Sequence, residues 1–360
     1  MSLRARITIK RYDIISIFVI VLAYSKFEYV SDWGEMLLIN VNKKILCSVI
    51  CVLVLLKIST VEAQSLVDVN WLEGKTCDDN LIVLEVHRGK KNYELGHIPC
   101  SVYTNFYKNG WRENRGKGYF LLPAVTKLVK VVEDHGISNK DRVIIASSGR
   151  GKYGVAEAAA IYYTLKYLGH SNVSILDGGI SAWTNGWSRD TETGFKEPKI
   201  GRFVPNINND IYADKDDVLL YLNKKKQLID ARSSDKYLGI NSSTDSMRKG
   251  TIPGAINIPN IWILKNNTLY FHNKDNLKKI FDFSGIKSDE PLISFCDAGL
   301  ESALIWFAFS EILENPNTRL YESSLAEWSM DSSLPMVSKL SIKLVDDEDK
   351  VEDSFSMKPD

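Results

Sequence analysis

Cysteine is scarce in this chain: five in 360 residues, too few and too scattered for a disulfide-stapled scaffold. Cys47 and Cys51 lie in an apolar leader, which leaves Cys77, Cys100 and Cys296, an odd number with at least one free thiol in the mature protein. No Cys-x-x-Cys occurs, which removes a thioredoxin-like dithiol centre. Excess charge of either sign is missing too. Lys plus Arg and Asp plus Glu number 45 each, so no net field draws the chain to nucleic acid or an acidic polymer. Long apolar runs are absent, since residues 14–24 and 45–56 both fall short of the roughly 20 needed to span a bilayer. What remains is ordinary globular material, 44% hydrophobic and 25% charged, with length enough for two domains.

The amino-terminal region has its own pattern. Asn42, Lys43 and Lys44 precede the apolar run 45–56, and Val61-Glu62-Ala63 offers small residues where a signal peptidase reads. Such a signal begins at Met36 rather than at residue 1. Residues 1–63 are therefore expected to be a leader with an internal signal peptide, a true start at Met36 and cleavage near Ala63. The mature protein is then exported, periplasmic or secreted, and meets a membrane only if the leader stays uncleaved.

Downstream, one domain-sized pattern occurs twice. A buried-strand run at 81–86 precedes Tyr93-Glu94-Leu95-Gly96-His97-Ile98-Pro99, and 227–232 precedes Tyr237-Leu238-Gly239 and Gly250-Thr251-Ile252-Pro253-Gly254-Ala255. The run 142–147 answers 291–296, and an apolar helix pattern follows each. Each copy closes with a strand and a tryptophan, Asp177-Gly178-Gly179 before Trp183 and Tyr321 before Trp328. Short apolar strands alternating with helical patterns read as α/β units around a mainly parallel sheet flanked by helices. Expected boundaries are 64–190 for the first domain, 191–209 for a Pro-containing linker, 210–338 for the second domain and 339–360 for a charged, disordered tail.

Within the second copy, Pro291 to Ser302 carries the chemistry. A short apolar strand, a cysteine, a small loop and a helix amino terminus make a cradle of backbone N–H groups around one sulfur, an arrangement that favours thiolate. Cys296 is the sole cysteine of that half, without a local partner for a disulfide or a zinc site. Asp297, Ala298, Gly299, Leu300, Glu301 and Ser302 are the expected cradle for a thiolate or persulfide. An arginine six positions after the cysteine would mark a cysteine phosphatase, and Ser302 stands there instead.

Taken together, Asp230-Ala231-Arg232, Tyr237-Leu238-Gly239, the Gly250 to Ala255 stretch, Cys296 opening a short loop and Tyr321 to Trp328 resemble the rhodanese (sulfurtransferase) family in its tandem two-domain form. The resemblance spans about residues 66 to 336 and implies two rhodanese-like domains, the second catalytic and the first a non-catalytic copy with Ser147 or Ser148 near the matching place. It also implies a sulfane sulfur moved from thiosulfate, mercaptopyruvate or a persulfide to a thiol or cyanide-like acceptor, or to a protein sulfur carrier, through a Cys296 persulfide. No cofactor, metal or nucleic acid is expected. Asp230, Arg232, Lys236 and Arg248 are the candidates for substrate binding or support, Lys236 standing where thiosulfate-using relatives carry an arginine. Asp297 and Glu301 depart from the basic or neutral loop of relatives, and two carboxylates beside the sulfur raise its pKa and repel a dianion. The alternative is a catalytically weak tandem module that binds a sulfur compound or a protein partner.

Overall fold

Runs of four to six apolar residues, rich in Val and Ile, suit strands buried on both faces. The computed structural model describes residues 28–30, 36–38 and 63–340, apart from 115–119, 149–150, 186–188 and 245–246. Residues 1–61 form a unit of their own, in which Glu28–Val30 and Met36–Leu38 pair antiparallel. The expected signal run 45–56 and the tail beyond Leu340 lie outside the described residues.

The first domain holds β1 (Leu66–Val67), β2 (Leu81–Val86), β3 (Val102–Thr104), β4 (Arg142–Ser147) and β5 (Val173–Leu176), in the spatial order β1-β5-β4-β2-β3 with every pair parallel. The second holds β6 (Tyr212–Ala213), β7 (Gln227–Asp230), β8 (Ile256–Asn257), β9 (Leu292–Phe295) and β10 (Thr318–Tyr321), ordered β6-β10-β9-β7-β8 and again all parallel. The register aligns the two copies. Glu85 lies between Tyr103 and Ala146, and Asp230 lies between Asn257 and Phe295. Ser147 therefore occupies the place of Cys296, which resolves the pair of serines that the sequence left open.

The helix after each of those strands joins the domains. Helix α1 (Gly151–Tyr167) buries every residue from Val155 to Leu165, as a helix enclosed on all sides must. It packs on the helix that follows Cys296, with Tyr162 against Phe307 at 4.9 Å and Tyr163 against Trp306 at 5.0 Å between ring centres. Two acidic residues repeat the joint. Asp177, after β5, accepts the Phe271 N–H of the second domain at 2.9 Å, and Glu322, after β10, accepts the Leu122 N–H of the first at 3.1 Å. Glu322 also meets Arg112 at 2.9 Å, with both side chains buried.

The stretch between the domains does not hang free. The Gly201 N–H binds the Glu133 carbonyl at 2.8 Å, the Asn206 N–H binds the Leu168 carbonyl at 2.9 Å, and Phe203 is buried. Cys77 and Cys100 form a disulfide across a separation of 23 residues, worth about 3 kcal/mol of loop entropy.

Candidate active site

Cys296 follows β9 directly, and Gly299 caps helix α3 (Leu300–Phe307). The turn needs that glycine. Its φ is +77°, and a Cβ there would stand 2.8 Å from the Glu322 carbonyl oxygen. The loop is pinned from helix α4 (Ser324–Trp328): the Cys296 N–H donates to Ser324 Oγ at 3.0 Å, and the Leu325 and Ala326 N–H groups donate to the carbonyls of Cys296 and Asp297. Ser324 itself has φ +51°, where the first domain has Gly179 at +60°. Its hydroxyl binds both the Cys296 N–H and, at 2.7 Å, the Tyr321 carbonyl, which offsets left-handed strain of about 1 kcal/mol.

Cys296 is a free thiol, only 1% exposed, at the floor of a cleft of about 200 Å³. The Ser302 hydroxyl donates to Sγ at 3.3 Å, and the Ser302 main chain adds a second hydrogen bond. These two contacts lower the thiol pKa but do not decide it. Burial raises it, Glu301 and Asp297 raise it further, and the net direction is upward from 9.0. The cradle's pull towards thiolate is thus outweighed: burial is the largest push upward, and Glu301 and Asp297 raise the thiol as their place in the loop led us to expect, against the two bonds from Ser302.

Asp297 is bound up by cations. Lys236, on helix α2 (Ser234–Leu238), reaches Oδ2 at 2.8 Å, Arg232 reaches Oδ1 at 3.5 Å, and the Ser243 hydroxyl donates to Oδ2 as well. Burial pulls both cations towards neutrality, yet the carboxylates of Asp297 at Lys236 and of Asp230 at Arg232 more than offset it, and both stay raised and charged. Arg232 is fully committed: Nη2 binds Asp230 at 2.6 Å and the Gly250 carbonyl at 2.7 Å, while Thr251 Oγ1 donates to Asp230 at 2.7 Å. Thr251 thus does for Asp230 what a buried donor must, and Asp230 with Arg232 braces the loop. Arg248 is a correction. Its guanidinium donates to the carbonyls of Ser329, Leu334, Trp328 and Asp331, which ties down the turn after α4 and takes it away from the cleft.

The cleft is built from both domains. Cys296, Asp297, Ala298, Leu300, Glu301 and Lys236 come from the second, and Phe106, Tyr107 and Tyr153 from the first. Sequence reasoning missed these three aromatics, together with Ser243 and Ser324. The signal for the aromatics lay in the repeat: Phe106 and Tyr107 follow β3, and Tyr153 opens α1, whose counterpart carries the cysteine loop. A larger hollow of about 1180 Å³ lies between Gly178 of the first domain and Trp262, Lys265 and Tyr270 of the second, with no cysteine in its lining. The nucleophile therefore marks the smaller cleft as the site.

Two segments, 68–186 and 214–331, match the model of the rhodanese-like domain. The chain belongs to the rhodanese-like family. Within it, the chain is 29% identical over 292 residues to the sulfur carrier protein TtuD of Thermus thermophilus, covering 76% of this chain and 96% of that one. It is 28% identical over 251 residues to the 3-mercaptopyruvate sulfurtransferase of Escherichia coli, covering 68% and 85%. The crystal structure of SseA from Escherichia coli, a 3-mercaptopyruvate sulfotransferase, superposes with a TM-score of 0.64 at 25% identity, over 73% of this chain and 99% of that one.

Proposed function

We propose that the protein is a sulfurtransferase that carries a sulfane sulfur on Cys296 from a donor to a thiophilic acceptor. One observation carries the reading: of two copies of the same fold, only the second keeps a sulfur nucleophile, and it lies on the floor of a cleft walled by both. The Cys296 thiolate attacks the outer sulfur of the donor, the donor S–S or C–S bond breaks, and the electron pair leaves with the donor remnant. An acceptor thiolate or cyanide then attacks the outer sulfur of the persulfide and returns Cys296. Ser302 holds the attacking sulfur in place and stabilises its charge. Lys236 offsets the negative charge at the mouth, Arg232 fixes the loop, and Gly299 lets the backbone turn.

The names of relatives fit this reading: thiosulfate and 3-mercaptopyruvate stand in those of sulfurtransferases, and TtuD is named a sulfur carrier protein. Turnover of mercaptopyruvate or a small persulfide with dithiothreitol or cyanide as acceptor tests it. Wild type is expected to release sulfide or thiocyanate and Cys296→Ser is not; equal rates in the two would end the proposal. The bound state of Lys236 favours the second reading, a module that binds sulfur compounds without fast turnover, and the same assay separates the two.

Export belongs to the same proposal. An exposed Cys77–Cys100 disulfide is at home in an oxidising compartment, which agrees with the secretory pattern before Gln64. No described helix is long and apolar enough to cross a membrane. Amino-terminal sequencing of the protein from its cell is expected to find an end near Gln64, and an intact Met1 would refute export.

A further inference from the structure

We infer that reduction of the Cys77–Cys100 disulfide opens a site for a zinc-like divalent cation, made of the two thiolates, the Glu192 carboxylate and the His97 imidazole. None of the four lines the Cys296 cleft, and the inference does not rest on the sulfur-transfer reading. Three stretches of chain meet here. His97 and Glu192 exchange both backbone hydrogen bonds, N–H to carbonyl at 2.9 Å each way, so their side chains stand side by side on an antiparallel bridge. The turn after His97 brings Cys100 back, and the Glu192 carboxylate holds it by accepting the Cys100 N–H at 2.9 Å. Cys77 comes from the stretch between β1 and β2 and is tied to Cys100. Sγ of Cys77, Sγ of Cys100 and an oxygen of Glu192 lie within 4.8 Å of one another, and all three residues are exposed.

The donor set is the second support. Two thiolates, an imidazole and a carboxylate suit a tetrahedral zinc ion, whose bonds of about 2.0–2.3 Å place ligand atoms roughly 3.3–3.8 Å apart. The Cα atoms of Cys77 and Cys100 are 5.3 Å apart, near enough for both sulfurs to reach one ion once the bond between them is open. His97 Nε2 stands 3.8 Å from Glu192 Oε2, and the other ring nitrogen sets its orientation. Nδ1 faces the Tyr93 carbonyl at 3.0 Å, a contact that needs an N–H there, so neutral His97 turns the lone pair of Nε2 towards the carboxylate. Two lone-pair donors that face each other in this way are bridged by a proton or by a metal cation. Stacking on Tyr93, with ring centres 4.0 Å apart, holds the imidazole in that plane. The flanking charges suit a cation: Asp78 and Asp79 follow Cys77, whereas Lys75 donates to the Trp71 carbonyl at 2.7 Å and Arg189 pairs with Glu73 at 3.3 Å. In the oxidised protein the sulfurs are bonded to each other and offer no thiolate, so a dithiol reductant gates the site. One of its thiolates attacks a sulfur of the disulfide, the other protein sulfur leaves with the electron pair, and its second thiol closes the reductant's own disulfide and frees the remaining protein sulfur. The two protein thiols give up two protons to solvent as the metal binds, and the ion takes over the staple that the disulfide provided.

The test uses the full chain carrying Cys47→Ser, Cys51→Ser and Cys296→Ser, which leaves Cys77 and Cys100 as its cysteines. The protein is reduced with tris(2-carboxyethyl)phosphine, freed of it under nitrogen and titrated with Co²⁺, then with Zn²⁺ in competition. The reduced protein is expected to bind one Co²⁺ per chain, with a thiolate-to-cobalt charge-transfer band in the near ultraviolet and the visible bands of tetrahedral Co²⁺, and Zn²⁺ to bleach both. The oxidised protein is expected to show neither. Glu192→Gln, which keeps both cysteines and alters an exposed side chain, and His97→Gln are each expected to weaken Co²⁺ binding roughly tenfold or more. A second readout is stability: Zn²⁺ is expected to raise the thermal midpoint of the reduced protein and to leave that of the oxidised protein where it was. A reduced protein without the charge-transfer band overturns the inference, as does equal binding by the oxidised protein or an affinity unchanged in Glu192→Gln or His97→Gln.

Discussion

Removing the guanidinium of Arg112 tests how the first domain supports the cysteine loop of the second. Arg112 is in the first domain and Glu322 in the second, their charged atoms lie 2.9 Å apart, and the side chains are 1% and 3% exposed. Arg112 Nη1 is further held by the Trp111 carbonyl at 2.6 Å and by Thr164 Oγ1 at 2.9 Å, while Glu322 Oε2 accepts the Leu122 N–H. Glu322 also backs Gly299, because a Cβ at Gly299 would stand 3.0 Å from Oε1. Arg112→Met keeps much of the volume but removes the buried cation 2.9 Å from the Glu322 carboxylate, a change that costs about 3–5 kcal/mol. Adding Glu322→Gln removes the buried carboxylate as well and keeps an oxygen for Leu122, so the double variant is expected to recover about 2 kcal/mol or more. Urea unfolding measures the stabilities, provided the slope is unchanged, and the rate of Cys296 alkylation by iodoacetamide reports on the loop. Arg112→Met is expected to expose Cys296 and speed alkylation, and the double variant to slow it again. A single variant less than about 1 kcal/mol below wild type, or a double variant as unstable as the sum of the singles, would refute the reasoning.

Other outcomes follow from the same geometry. Gly299→Ala combines a left-handed φ with a contact inside 3 Å of a backbone oxygen, so a loss of about 2 kcal/mol or more, seen as a lower thermal midpoint, and abolished Cys296 loading are expected. Ser324→Ala loses both hydroxyl bonds and keeps the strain, whereas Ser324→Gly loses the bonds and relieves the strain; the alanine variant is expected to be about 1 kcal/mol the less stable, and equal midpoints would count against the account of the Ser324 turn. Since Glu301 raises the Cys296 pKa and Ser302 lowers it, Glu301→Gln is expected to move the alkylation pH profile to lower pH and Ser302→Ala to higher pH; shifts of the reverse sign contradict the assignment. Arg248→Ala removes four hydrogen bonds to backbone carbonyls, so a lower unfolding midpoint with an unchanged KM is expected, and a raised KM would return Arg248 to the site.

Much of the fold was legible because strand and helix alternate twice with the same landmarks, and a parallel sheet leaves continuous apolar runs such as 142–147 and 173–176. Cys296 was legible from its place at a strand-to-helix turn. The state of its thiol was legible only in part, because the two carboxylates stand beside it in the sequence whereas burial, the largest push upward, depends on distances that spacing does not encode. Arg248 illustrates the limit differently. A basic residue near the motif in sequence turned its guanidinium to the carbonyls of Trp328, Ser329, Asp331 and Leu334, where the chain turns after α4 and a five-donor fork can bind several C=O groups at once. The aromatics from the first domain were hidden for a third reason, as no pattern within one copy says which residues of the other will face it.

Single-turnover intact-mass spectrometry tests the central claim most directly. Protein mixed with excess donor and then freed of it is expected to gain one sulfur atom, located at Cys296 on fragmentation, and to return to its starting mass on addition of cyanide or a thiol. Cys296→Ser is expected to gain nothing. A wild-type protein that keeps its mass with every donor, or a sulfur found equally on the Cys296→Ser variant, would contradict transfer through Cys296.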